Sequence, residues 1–143
     1  MSNDLRKLKL ELDLKQNELE KTEILLKTST EKVKSLKSDL TYLRSHLNKV
    51  RGFINELFDT SKSTKSNTNT EILSDLDKFQ LMEHKLMNRL NSTKNELDAL
   101  ELECNKNKAV IIVLKHDIKD LRLKFDEGYN DWYKKTGMII NFD

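Results

Sequence analysis

Proline is absent from this chain of 143 residues, and glycine occurs only three times. Tight turns lean on both residues, so a compact domain built from many short elements is excluded. Aromatic residues make up 6% of the chain, too few for a wide core. A single cysteine, Cys104, excludes an internal disulfide framework and fits a reducing compartment. Long apolar runs are missing as well. The longest covers residues 109–114, against the roughly 20 residues needed to cross a bilayer. The start, Met1-Ser2-Asn3-Asp4, leads directly into charged sequence. No signal peptide is therefore expected, and the expected location is intracellular, in cytoplasm or nucleus. Finally, no one sign of charge dominates. With 26 basic and 24 acidic residues the net charge is +2, which leaves no footprint for nucleic acid.

What remains is Leu, Lys, Glu, Asp and Asn, the composition of long helices with a narrow apolar stripe. Such a stripe needs a second helix to cover it. In a heptad lettered a to g, positions a and d face that second helix. The first segment holds one register throughout. Its a positions are Leu5, Leu12, Leu19, Leu26, Val33, Leu40, Leu47 and Ile54. Its d positions are Leu8, Lys15, Thr22, Ser29, Leu36, Leu43, Val50 and Leu57. Residues 59–70 are mostly Ser and Thr, which compete with helix by bonding the nearby backbone. This predicts a polar loop there, with Thr70 as the N-cap of a second helix. The second register places Leu76, Glu83, Leu90, Leu97, Cys104, Ile111, Ile118, Phe125 and Trp132 at a. Ile72, Phe79, Leu86, Thr93, Leu100, Asn107, Leu114, Leu121 and Gly128 then fall at d. Thr136-Gly137 reads as a helix C-terminus, and residues 138–142 alternate like a short strand. The expected class is all-α: coiled-coil segments 1–58 and 71–135, the loop 59–70, and a strand-like tail 136–143. The tail is expected either to add to a partner's sheet or to be the start of a further globular domain, the second being favoured.

The apolar a positions Leu5 to Ile54, with Leu76, Leu90, Leu97, Ile111, Ile118 and Phe125, are the expected partner-binding core. Polar residues inside such a core weaken it but select register and partner. Lys15, Glu83 and Asn107 are the candidates for that role. A parallel homodimer would set Asp39–Arg44, Glu103–Lys108 and Asp117–Arg122 in attraction. It would set Glu18–Glu23, Lys32–Lys37, Arg89–Lys94 and Glu96–Glu101 in repulsion. Repulsion is what sets partner choice, so a parallel rod shared with a different coiled-coil chain is the leading expectation. An antiparallel hairpin is its rival. Pairing residues whose numbers sum to 126 sets Ile54 on Ile72, Leu40 on Leu86, Leu26 on Leu100 and Leu5 on Leu121. In that register Asp39–Arg89 and Lys32–Glu96 attract, whereas Glu11–Asp117, Glu23–Glu101 and Lys9–Lys115 repel.

Chemistry-bearing groups are sparse. Cys104 sits at an a position, as a buried inert thiol does. His46, His84 and His116 fall on outward positions and are too scattered for a metal. No metalloprotease helix, phosphate loop or nucleophile elbow is present. No catalytic residue, cofactor, metal or small-molecule substrate is expected. Asn91-Ser92-Thr93 matches a glycosylation sequon by chance. Ser61, Ser63, Thr64 and Ser66 are candidate phosphorylation sites whose charge would cancel Lys62 and Lys65. Tyr129, Trp132 and Tyr133 are the candidate seam to whatever follows the helix.

The stretch Leu121-Arg122-Leu123-Lys124, with Asp131-Trp132-Tyr133-Lys134-Lys135-Thr136-Gly137-Met138-Ile139-Ile140, resembles a junction in kinetochore proteins. There a coiled coil with a basic, aromatic end runs through a Gly into the first strand of an RWD-type domain. Asn130, Gly137, Ile139 and Phe142 also resemble the neck-to-motor junction of minus-end-directed kinesins. Met138 and Ile140 stand where that family carries basic residues, which points to a non-catalytic kinesin partner subunit. Both resemblances imply a structural chain at the kinetochore or spindle. The expected function is accordingly a non-enzymatic subunit that dimerises and links or spaces parts of an assembly. The alternative is a hairpin adaptor that recruits a partner through its aromatic C-terminal end.

Overall fold

The computed structural model describes residues 2–63 and 69–137. Two helices make up the fold: α1, Ser2–Ser63, and α2, Asn69–Thr136. No strand occurs among the described residues, and the all-α expectation holds. The strand-like tail at 138–143 lies outside them.

The helices run on because nothing in them stops them. Proline is absent, and their hydroxyls are drawn into the helix. Thr22, Thr28, Thr30 and Thr41 each donate a hydrogen bond of 2.7–3.1 Å to the carbonyl four residues back. The same device moves the predicted break. The Thr60 hydroxyl donates to the Glu56 carbonyl and the Ser61 hydroxyl to the Phe58 carbonyl, both at 2.8 Å. Hydroxyls expected to compete with the helix therefore bond within it. As a result α1 runs on to Ser63, α2 opens at Asn69, and Thr70 lies inside α2 rather than capping it. At the other end Thr136 still belongs to α2. The Thr136 hydroxyl donates to the Trp132 carbonyl at 2.8 Å. Gly137 then takes φ 64° and donates its N–H to the Tyr133 carbonyl at 2.7 Å. That left-handed cap is cheap only for glycine, so the predicted C-terminus is the observed one.

The chain divides into two compact units, Met1–Thr30 with Leu102–Asp143, and Glu31–Glu101. In each, a stretch of α1 packs antiparallel against a stretch of α2. Within the chain the arrangement is that of the rival hairpin, not of two segments in line: the stripe of α1 is covered by α2 of the same chain.

The Glu31–Glu101 unit holds a continuous apolar cluster of Leu43, Leu47, Val50, Ile54, Leu76 and Leu86, flanked by Leu57, Phe79, Met87 and Leu90. Val50 is its most buried member, at 2% exposure. The Phe53 and Phe79 rings lie 5.5 Å apart, beside the cluster. In the other unit Leu5, Leu12, Cys104, Ile111, Leu114 and Ile118 are buried together with the polar Thr22 and Ser29. Gly128 occupies a d position there. A Cβ at that point would meet Leu5 Cδ2 at 2.8 Å, so the missing side chain is what lets Leu5 lie against α2.

Every a and d position named from the sequence is buried or half-buried. The heptad phase of each segment was therefore legible residue by residue. The pairing between segments was not. Contacting residue numbers add to 132 for Lys15–Asp117, 133 for Leu5–Gly128 and 134 for Arg51–Glu83. The observed register is thus one heptad beyond the sum of 126. A shift of a whole heptad keeps a against d, so the apolar stripe alone cannot tell the two registers apart. Charge can. At a sum of 126 Asp117 would meet Glu11, whereas in the fold it lies 3.4 Å from the Lys15 ammonium. The exposed Lys37–Glu101 pair, 3.7 Å apart, sums to 138 and lies off this register.

Candidate functional site

The residues expected to bind a partner chain are spent within the chain itself. Leu5, Leu12, Leu40, Leu47, Ile54, Leu76, Leu97, Ile111 and Ile118 are buried. Leu19, Leu26, Val33, Leu90 and Phe125 are half-buried. All of them line the seam between α1 and α2.

The three expected specificity residues behave differently from one another. Lys15 is held by Asp117. Glu83 accepts a 3.1 Å bond from Arg51 Nε, and Arg51 Nη2 also reaches Met87 Sδ at 3.4 Å. These two polar core positions thus find partners within the chain. Asn107 does not: its Nδ2 is buried without a hydrogen-bond partner among the described residues. Buried Thr22 bonds its own helix, as above.

One test follows from the Lys15 pair, whose side chains keep 35% and 38% exposure. Lys15→Glu sets a carboxylate against Asp117 and removes an attraction that favours the observed register. Water screens much of this, so the expected loss is about 0.5–1 kcal/mol. Urea unfolding at low and high salt checks it. The deficit should shrink as salt rises, and a deficit independent of salt would assign Lys15 a packing role instead.

At the C-terminal end the Phe125 and Tyr129 rings stack at 6.2 Å. Tyr129 and Trp132 are half-buried, and Tyr133 is exposed. Of the candidate phosphorylation sites, Ser61 and Ser63 lie within α1, the former half-buried. Thr64 and Ser66 lie outside the described residues. His84 and His116 point outward as expected, whereas His46 is half-buried with its ring 6.0 Å from Tyr42. Cys104 is a buried free thiol. No group of three His, Cys, Asp or Glu residues able to hold a metal occurs among the described residues. No helix among them is long and apolar enough to cross a membrane.

The sequence pattern gave least warning of what lies on the outside. Large apolar side chains that no seam needs stand in solvent. In the unit formed with Met1–Thr30, α1 exposes Leu10, Leu14, Ile24 and Leu25, and α2 exposes Leu102, Ile112, Val113 and Leu123. Heptad reading counts a and d and passes over the b, c and f positions where most of these residues sit. The apolar run at 109–114 was the available clue. Only Ile111 and Leu114 of that run are buried in the seam, while Ile112 is 69% exposed. No protein-family model, curated protein or solved structure matches the chain.

Proposed function

We propose that the chain is a non-catalytic adaptor: a helical hairpin that covers its own apolar stripe and offers its outer faces to other proteins. The observation that carries this reading is the division of apolar residues. Those at a and d are enclosed between α1 and α2, so the chain has no need of a second copy to shelter them. Those at b, c and f stay in solvent, where they stabilise nothing in the hairpin. The exposed Tyr133 and half-buried Trp132 extend that surface to the end of α2. A heteromeric assembly remains the reading, with the partner on the outside of a hairpin rather than beside a single helix. Placement at the kinetochore or spindle is proposed on the likeness of residues 121–140 alone.

Crosslinking mass spectrometry of the native assembly tests this. Expected are intrachain links between the α1 lysines near Lys15 and the α2 lysines near Lys119, together with links from outward lysines to a different protein. Links joining Lys15 of one copy to Lys15 of another, with no intrachain links across the hairpin, would overturn the proposal.

A further inference from the structure

The structure assigns a docking face for an acidic amphipathic helix to α2, along Ile112, Lys119 and Leu123. This rests on the reading of the chain as an adaptor and specifies the chemistry of one partner. All the residues involved belong to the unit that pairs Met1–Thr30 with Leu102–Asp143.

Spacing comes first. Ile112, His116, Lys119 and Leu123 follow the i, i+4, i+7, i+11 pattern and form one stripe on a helix, apolar at its two ends. Ile112 and Leu123 are 69% and 53% exposed at its two ends, and Val113 beside them is 57% exposed. A groove of about 310 Å³ runs next to this stripe. Its floor is Leu19 and Ile118, and its rim carries Lys115, Lys119 and Arg122. Two apolar anchors three turns apart, beside a groove with an apolar floor and a charged rim, form a geometry that receives an amphipathic helix.

Helix propensity supplies a second argument. Ile and Val at exposed helix positions cost a few tenths of a kcal/mol each relative to Lys or Glu. The hairpin gains nothing from them there, since Ile111, Leu114 and Ile118 already fill its seam.

Charge then selects the occupant. Lys106, Lys108, Lys115, Lys119 and Arg122 all stand on this part of α2, and all are exposed. None of them forms an ion pair with another described residue, whereas Asp117 is held by Lys15 at 3.4 Å and Asp120 lies 3.7 Å from the His116 ring within the stripe. The groove itself bears one carboxylate, Asp126, against three cations. A second copy of this chain would bring the same lysines over these: an antiparallel pairing centred on Ile112 lays the Lys106 and Lys108 end over the Lys115 and Lys119 end. Like charges facing each other count against that arrangement. A partner helix with apolar residues at i, i+4 and i+7 and carboxylates on its flanks satisfies both the strip and the rim.

The test uses the full chain, labelled with nitrogen-15, and a fluorescent peptide of about four helical turns carrying Leu on one face and Glu elsewhere. The expected result is saturable binding, with amide shifts concentrated at residues 110–123. The double variant Ile112→Asn/Leu123→Asn should weaken binding by about tenfold or more. Lys115→Glu/Lys119→Glu should do the same and confer binding of a matched peptide with Lys in place of Glu. None of these four residues lies in the seam, and unchanged circular dichroism and urea midpoint confirm that the variants fold.

Three outcomes overturn the proposal. The acidic peptide fails to bind or binds no better than the basic one. Phosphatidylserine vesicles bind through these residues while the peptide does not. Or the chain self-associates and Ile112→Asn abolishes that association. If crosslinks in the native assembly run to a different protein from other faces, this site falls and the adaptor reading stands.

Discussion

Val50→Asp is expected to destabilise the Glu31–Glu101 unit by about 3–5 kcal/mol, a large share of what holds a small domain together. Val50 is 2% exposed and sits among Leu43, Leu47, Ile54, Leu76 and Leu86. A carboxylate there is shut away from water. The observed register sets position 50 opposite Glu83, whose carboxylate already takes the Arg51 guanidinium at 3.1 Å. The new charge would therefore face a second acid as well as an apolar wall. Neutralising it by protonation relieves part of the cost and leaves an acid group without a bonding partner in the core. Val50→Ala, which removes two methyl groups and adds no charge, should cost only about 1–2 kcal/mol. Urea unfolding followed at 222 nm for both variants checks the pair. Equal and small losses would show that position 50 reaches water, and the packing of this unit described above would fall with it.

A gain, not a loss, is expected from Asn107→Leu in the other unit. The Asn107 amide nitrogen is buried and has no hydrogen-bond partner among the described residues. Leaving such a donor unmet costs about 1–3 kcal/mol, and a leucine of similar size removes that cost while adding apolar contact. By the register Asn107 lies opposite Leu26, so the replacement continues an apolar layer. Stability should rise by about 2 kcal/mol, seen as a higher urea midpoint at unchanged slope. An unchanged or lower midpoint would mean that water or a second conformation satisfies the amide in solution.

The two substitutions probe features that differed in legibility. The burial of position 50 follows from a count of sevens. Once Leu5, Leu12 and Leu19 set the phase, Val50 falls at d without further information. The orphaned amide could be placed in the core by the same count. Whether it found a partner there depended on which α1 residue came to face it, and the count does not reach that far. Lys15 and Glu83 show the converse. Their positions mark them as polar interruptions suited to a foreign chain, yet Asp117 and Arg51 of the same chain meet them. The outer strip at Ile112 and Leu123 was the least legible feature of all. A residue outside a and d is read as solvated by default, and only its exposure beside a groove in the fold shows it as surface left over.

The sequence by itself determined the helices and their inner faces. Absent proline, scarce glycine and a seven-residue period leave no other regular structure, because both properties act locally within a turn or two. It also placed the end of α2, since the left-handed residue at 137 needs glycine. Tertiary structure alone decided which helix covers which stripe, and in what register. A heptad stripe is satisfied equally by another chain or by its own return, and equally after a slip of seven residues. The register is marked by pairs distant in sequence, Lys15 with Asp117, Arg51 with Glu83, and Leu5 against Gly128. The extent of α1 past residue 59 belongs with them. There Thr60 and Ser61 could bond the backbone inside or outside a helix, and the apolar cluster around Ile54 and Leu57 holds the helix in which they bond inside.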